Sequence, residues 1–539
     1  DLADAAERML ARGGAAEAAA AFRRAAELSP KAEHRAARLN RSAFAASKGG
    51  LIDSADQALR PGSVDSLAGA TAAAFVLLYR DGDINGVFRT LVPALEQAAA
   101  HPDPAADPGA FDDAFYMLLN CAVWAGQEEL WPSVRTWLDH VSPTARMCFD
   151  AVADPARTAH GVRQRLDRET AELRPDSPCW RIDWLIYTSL YIDCYGFYDG
   201  AWRTQLGSAF DSNRFTQLAR SHDAFLRGEW DRAKAVAEEG ARACSEQDNQ
   251  FSQALFTYVT AAVAAGRGDE ETLGRCNEAI LSWAGPRRLN LLLATVQETR
   301  ARAAVGRGDF EEAYQQAAAL TPPGRFPAHF PHLQRVFLDL VESAMRTGRE
   351  PEARAHVDAA RRTRMGEISP HHRLLLESAA ALVAPDAEAG PVFEAALALP
   401  DASSWGWEYA RLQLLYGEWL RRRREHTAAR RHLSAAAETF DRLGAAVWAQ
   451  RARQELRAAG VAVRVPSGTA LVTMSAQERR IAELAATGLS NKEIGQQLNI
   501  SPRTAGAHLY RVFPKLGVTT RAALRDALRD LEDDTHLVS

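Results

Sequence analysis

Four glycines, Gly228, Gly268, Gly308 and Gly348, stand at equal intervals of 40 residues. The chain reads alike around each: Arg-Gly-Glu-Trp-Asp-Arg-Ala at 227–233, Arg-Gly-Asp-Glu-Glu-Thr-Leu at 267–273, Arg-Gly-Asp-Phe-Glu-Glu-Ala at 307–313 and Thr-Gly-Arg-Glu-Pro-Glu-Ala at 347–353. The phrase suits the turn of a helical hairpin. Gly ends the first helix in a left-handed conformation, an acidic residue starts the second, and Ala lets the two helices approach closely. One hairpin cannot bury its apolar face alone, so equal periods point to stacked hairpins, an α-solenoid. Weaker copies keep the same step of five residues at Gly13/Ala18, Gly50/Ala55, Gly82/Val87 and Gly196/Ala201, and a late copy at 425–430 lacks the Gly. Helical periodicity surrounds each copy and strand-like alternation is nearly absent, so the expected fold class is all-α.

The repeats resemble the tetratricopeptide class, stretched from about 34 to about 40 residues. On this reading residues 1–457 form a regulatory repeat region. A linker at 458–470 breaks the periodicity with Gly460, Pro466 and Gly468. Two further breaks are expected, at 101–110 and at 321–331, both rich in Pro. The acidic tail, 532–539, is expected to be disordered.

Residues 471–531 carry a different signature. Ser475 with Glu478, and Ser490 with Glu493, are two capping boxes that start short helices at about 475–488 and 490–498. Gly488 closes the first helix. Asn499-Ile500-Ser501-Pro502 makes a turn in which Ser501 caps and Pro502 takes the first helical position. A third helix is expected from about 502 to 516, stopping at Gly517, and Thr520 caps a fourth that runs through Leu531. Ala505, Leu509, Val512 and Leu516 form a buried stripe; Ile481, Leu484, Ile494, Leu498, Ile500, Leu524 and Leu528 complete a small core. Three helices with a tight turn before the third are the layout of a helix-turn-helix. Arg503, Gly506, Ala507, Tyr510 and Arg511 lie on the face that would enter a major groove. Lys492, Arg503, Thr504, His508 and Lys515 are placed for phosphates. The segment holds nine Arg/Lys against five Asp/Glu, whereas the rest of the chain is net acidic, which is the electrostatic footprint of a phosphate-binding face.

The stretches 488–504 and 508–518, followed by Arg521, resemble the LuxR-type helix-turn-helix of bacterial transcription regulators. The resemblance implies binding to double-stranded DNA, as a homodimer or higher homo-oligomer, with Arg521, Ala523 and Ala527 as candidates for the dimer surface. RNA polymerase is an implied partner, a small-molecule effector a further one, and the bacterial cytoplasm (the nucleoid when bound) the implied location. One departure stands out: after Ser-Pro-Arg-Thr the family pattern usually reads Val-Lys-Thr, and here it reads Ala505-Gly506-Ala507. A cation is missing from a usual groove-contact position, so base specificity would lean on Tyr510, Arg511, methyl contacts from Ala507 or DNA shape.

Helical repeats joined to this C-terminus resemble the MalT-like, large ATP-binding regulators of the LuxR family, in which a nucleotide-binding domain precedes the repeats. No G-x-x-x-x-G-K-[ST] loop occurs in this chain, so no cofactor is expected in it. ATP would enter only through an ATPase half upstream of Asp1, and the non-Met start inside an apparent helix favours such a parent chain.

No enzyme constellation, zinc spacing or stretch of 18 apolar residues is found, so catalytic and metal sites and a membrane partner are not expected. The six cysteines, Cys121, Cys148, Cys179, Cys194, Cys244 and Cys276, read as small core hydrophobes. The aromatic run Trp180, Trp184, Tyr187, Tyr191, Tyr195, Tyr198 and Trp202 could line an effector pocket, with Trp184, Tyr187, Tyr191 and Tyr195 as its candidates. Its spacing of 4, 3, 4, 4, 3 and 4 is that of a core stripe, and core is the favoured reading. The Arg421–Arg424 run could touch phosphate but fits a solvated helix end better. The expected function is a sequence-specific transcription regulator, most simply an activator, whose repeats control the DNA-binding unit. The alternative is a repeat scaffold that holds a protein or small ligand.

Overall fold

The computed structural model describes residues 2–11, 13–60, 66–101, 109–174, 177, 179–206, 214–329, 333–460, 476–498, 500–515, 518, 524, 525 and 528. No strand occurs among the described residues, and the fold over them is all-α. The N-terminal half runs α1 (Leu2–Ala11), α2 (Ala15–Glu27), α3 (Ala32–Lys48), α4 (Ile52–Leu59), α5 (Leu67–Val76), α6 (Ile84–Ala100), α7 (Ala110–Ala125), α8 (Pro143–Ala153), α9 (Val162–Ala171), α10 (Cys179–Tyr191) and α11 (Asp199–Leu206). Then come α12 (Arg214–Arg227), α13 (Trp230–Ser245), α14 (Gln250–Arg267), α15 (Glu270–Arg287), α16 (Asn290–Arg307), α17 (Phe310–Leu320), α18 (Phe337–Arg346) and α19 (Glu350–Arg362). The stack ends with α20 (Pro370–Val383), α21 (Ala389–Leu397), α22 (Gly406–Arg422), α23 (His426–Leu443) and α24 (Ala446–Ala458). Short turns of helix join several of these.

The repeated phrase folds as its residues dictate. Gly228, Gly268, Gly308 and Gly348 have φ of +82°, +78°, +78° and +76°, a conformation that only a residue without Cβ adopts at little cost. Asp269 and Asp309 then cap the following helices, accepting the Thr272 and Glu312 N–H groups at 3.0 and 3.1 Å. Gly13, Gly50 and Gly82 also have positive φ, and in the late copy Arg424 takes the left-handed position at +66°. Gly196 behaves differently. It lies in a short 3-10 turn, where its N–H donates to Asp223 Oδ1 at 2.9 Å and a Cβ would meet that carboxylate at 2.4 Å. Close approach, not chain reversal, selects glycine there.

From α12 to α24 each helix packs on the next and every second helix packs on its successor but one. Helices α12, α14, α16, α18, α20, α22 and α24 thereby form an inner row. The row closes on itself, for α12 touches α22, and both α14 and α16 touch α24. Close spacing depends on small residues: a Cβ on Gly266 would lie 2.4 Å from the Trp230 ring, and one on Gly417 2.6 Å from Leu433. One contiguous apolar core reaches from Ala70 to Leu456, with a separate cluster around Phe22 and Ile52. Lys48 joins these two regions by pairing with Asp113 and Asp183, each at 3.0 Å.

The expected break at 321–331 is, over its described part, a non-helical segment that follows α17, and it also ties back to earlier helices. The His329 ring stacks on Trp131 with centroids 4.2 Å apart, and its backbone N–H donates to the Ala153 carbonyl at 2.9 Å. The segment at 102–108 and the linker from 461 onward lie outside the described residues.

Candidate nucleic-acid interface

The C-terminal unit is built from α25 (Ala476–Ala486), α26 (Asn491–Leu498) and α27 (Pro502–Lys515). At the start of α26 the Ser490 N–H donates to Glu493 Oε2 at 2.7 Å, and the Glu493 N–H reaches back to Ser490 Oγ at 3.4 Å. That is the capping box expected from sequence. Ser501 caps α27 in the same way, its Oγ accepting the Thr504 N–H at 3.0 Å, with Pro502 at the first helical position. Gly488 turns the chain between α25 and α26 at φ +97°. Between α26 and α27 the Ile500 N–H donates to the Gly495 carbonyl at 2.9 Å. A Cβ on Gly495 would lie 2.7 Å from the Ile500 oxygen, so the tight turn requires glycine there. Ser475, Asn499, Gly517 and Thr520 lie outside the described residues.

Ile481, Leu484, Ile494, Ala505, Leu509, Val512 and Leu524 are buried together, with Leu498, Ile500 and Leu528 packed at the margin. The core fixes which side of α27 faces inward and leaves the opposite side outward. Lys492 and Thr504 are exposed, His508 is partly exposed, and Gly506 is half-buried. Arg503, Ala507, Tyr510, Arg511 and Lys515 have their backbone in α27, while their side chains lie outside the described residues, as do Leu516, Arg521, Ala523 and Ala527. The N-termini of α26 and α27, Lys492 and the outward side of α27 together can meet a sugar-phosphate backbone and a groove.

The aromatic run lies elsewhere, and its described side chains are buried. Trp184, Tyr187, Tyr191 and Tyr195 are all buried. Tyr187 Oη donates to Asn120 Oδ1 at 2.7 Å, and Asn120 in turn donates to Tyr79 Oη at 3.1 Å. Tyr195 donates to Asp199 at 2.6 Å. The run is not one continuous stripe: α10 ends at Tyr191, and Asp193 turns the chain at φ +54° before the 3-10 turn Tyr195–Phe197. In the Arg421–Arg424 run, Arg421 pairs with Glu455, and Arg423 pairs with Asp386 at 2.8 Å. Four cysteines, Cys121, Cys148, Cys194 and Cys244, are buried, and Cys276 is partly so.

Three of the fourteen histidines, His222, His371 and His372, meet in space around Asp193. Asp193 lies 2.9 Å from His371 Nδ1, 3.7 Å from His222 Nε2 and 3.2 Å from Arg335 Nη2, all of them buried. His372 adds a further donor, and one donor atom each from Asp193, His371 and His372 lie within 4.8 Å of one another. These are residue types that could ligate a metal. The Asp193 oxygens already carry Arg335 and His371, so the arrangement is an ion-paired hub. Burial would lower the His371 pKa, but Asp193 and Glu408 beside it raise it to about 9. Burial depresses His222 and His372 to about 4, and both stay neutral at pH 7. A second network spans the inner row, where Arg411 pairs with Asp339 and Glu342 at 2.7 and 2.9 Å and Arg451 with Glu342 and Glu418 at 2.8 and 2.7 Å. Burial alone would raise Glu342, yet Arg451 and Arg411 hold it at about 2.

Comparison with known proteins agrees with the C-terminal geometry. Residues 472–527 match the family model of bacterial regulatory proteins, luxR family. The chain is 43% identical over 54 residues to "Putative HTH-type transcriptional regulator Rv0890c" of Mycobacterium tuberculosis, covering 10% of this chain and 6% of that protein. It is 47% identical over 51 residues to "Putative HTH-type transcriptional regulator YhjB" of Escherichia coli, covering 10% of this chain and 26% of that protein. The likeness thus spans a small part of each relative and of this chain. Among the described residues no helix is long and apolar enough to cross a membrane. Within those bounds, residues 472–527 form a luxR-family helix-turn-helix domain.

Proposed function

We propose that the protein is a sequence-specific DNA-binding transcriptional regulator, an activator whose helical repeats control the C-terminal domain through an effector, a partner or self-association. The observation that carries the reading is the capped helix-turn-helix with a net basic charge, joined to a net acidic body. The two relatives named above are both described as transcriptional regulators, which supports the same reading. The body is proposed to be a tetratricopeptide-like repeat array of the MalT-like, large ATP-binding kind. Its support is the 40-residue phrase and the packing of every second helix from α12 to α24. The protein would act in the bacterial cytoplasm on double-stranded DNA, as a homodimer or larger homo-oligomer, with RNA polymerase as the downstream partner. No catalytic step and no cofactor held by this chain enters the proposal.

Selection from sheared genomic DNA tests it. The full chain should enrich a small set of discrete fragments lying upstream of genes, and residues 1–457 alone should enrich none. Uniform recovery of all fragments by the full chain would overturn the reading.

A further inference from the structure

A cavity of about 380 Å³ opens between α15, α16 and the first turn of α17. Gly274, Asn277 and Leu281 of α15, and Arg300, Ala303 and Arg307 of α16, step by three and four residues, so each set shares one helix face. Bare Gly274 and short Ala303 leave the space: a Cβ on Gly274 would meet nothing within 4 Å. Arg307 clasps one end, pairing with Glu270 and, at 2.8 Å, with Glu312. Because α15 and α16 run antiparallel, Asn277 and Arg300 stand level with each other, about 10 Å along the axes from that clasp. The hydrogen bond from Thr299 Oγ1 to Asn277 Oδ1, 3.1 Å long, fixes this register.

At that far end the polar groups are uncommitted. Asn277 is only 4% exposed, and its Nδ2 has no hydrogen-bond partner among the described residues. That nitrogen is not sealed within the core, so the surface it keeps belongs to the cavity that Asn277 lines. Glu278 and Arg300, both exposed on the wall, form no ion pair or hydrogen bond with each other or with any other described residue. The remaining lining charges, Glu270, Arg307 and Glu312, are all paired. One buried amide donor, one free cation and one free anion thus stand beside the apolar side chains of Leu273 and Leu281.

We infer that this cavity binds an apolar α-amino acid, a small zwitterion with a hydrocarbon side chain. Arg300 and the Asn277 amide take its carboxylate, Glu278 takes its ammonium, and Leu273 and Leu281 receive its side chain. Guanidinium is the matched partner of a carboxylate, and an enclosed amide N–H is costly until it is bonded. A ligand of a single charge would leave either Glu278 or Arg300 unanswered. The volume falls at the small end of the range of about 300–1,000 Å³ found for small-molecule sites. The inference does not rest on the DNA-binding reading.

Isothermal titration calorimetry on the full chain tests it, with L-leucine, L-valine, L-methionine and L-phenylalanine as probes at millimolar concentration. At least one should bind saturably. Its N-acetyl derivative, lacking the ammonium, and its carboxamide, lacking the carboxylate, should each bind about ten-fold or more weakly. Arg300→Ala and Glu278→Gln, at exposed positions, should each weaken binding by a similar factor, and Gly274→Phe should abolish it by filling the cavity. Circular dichroism on each variant separates misfolding from lost binding. No saturable binding by any of the four probes would overturn the inference. Equal binding of the blocked derivatives, or undiminished binding in either charge variant, would overturn it too.

Discussion

Arg267 Nη2 lies 2.6 Å from Asp231 Oδ1, an ion pair between residues 36 positions apart, each near the turn of successive hairpins. The same relation recurs along the stack: Arg307 pairs with Glu270, and Arg349 pairs with Glu311 at 2.8 Å. Repetition of the turn phrase thus repeats a contact between neighbours. Arg267 also donates through Nε to the Leu443 carbonyl at 3.0 Å, which ties the α14–α15 turn to the end of α23. Asp231 is mostly exposed, so its removal should cost well under 1 kcal/mol. Arg267→Ala should cost about 1–2 kcal/mol, because it also strips a donor from a partly buried carbonyl. Urea unfolding of both variants checks the ranking; equal effects would contradict it.

Glycines within the helices separate by what lies over them. Gly266→Ala must push its methyl into the Trp230 ring, and Gly417→Ala into Leu433. Each should destabilise by about 1–3 kcal/mol even though alanine favours helix by about 1 kcal/mol. Gly274, inside α15, has open space where a methyl would stand, with nothing within 4 Å, so Gly274→Ala should stabilise by about 0.5–1 kcal/mol. Opposite signs of the shift in urea midpoint are the expected result.

Stability should peak near neutral pH, and each limb has a named cause. His222, His356 and His372 are held neutral by burial, with folded pKa values of about 4 against an ordinary 6.5. Unfolding takes up three protons between pH 6.5 and 4, so stability falls there by about 4 kcal/mol per pH unit. His371 works in the opposite direction. Its pKa is raised to about 9, so its contribution is complete below pH 6.5 and disappears as pH rises from 6.5 through 9, by about 3 kcal/mol in all. Urea midpoints from pH 4.5 to 9.5 give both slopes. A His371→Phe variant should lose the alkaline limb while keeping the acid one.

The caps of the C-terminal unit should matter to its folding in proportion to their bonds. Ser501→Ala removes the acceptor of the Thr504 N–H at the start of α27, and Ser490→Ala removes half of a reciprocal box. Each should cost about 1 kcal/mol. Hydrogen exchange of α26 and α27 amides reports this locally, and unchanged protection would contradict it.

Much of this was legible in the sequence because it is local. Turn glycines, the caps Ser490, Ser501, Asp269 and Asp309 and the spacing of Ala505, Leu509 and Val512 act over a few residues, and apart from Gly196 they appear where the sequence placed them. The hub around Asp193 was not legible, since Asp193 and His371 are 178 positions apart and meet only in the folded chain. Regular spacing also misled at the aromatic run: a helical period continued through Tyr195, but Asp193 breaks the helix.

The central claim, that α27 and the cations around it bind DNA, is tested most directly by the salt dependence of duplex binding by the full chain. Wild type should lose affinity linearly in log salt, with a slope of about 0.9 per phosphate neutralised. Lys492→Ala, Arg503→Ala and Lys515→Ala combined should weaken binding and make that slope shallower by about 2–3. Undiminished affinity with an unchanged slope in the triple variant would contradict the account.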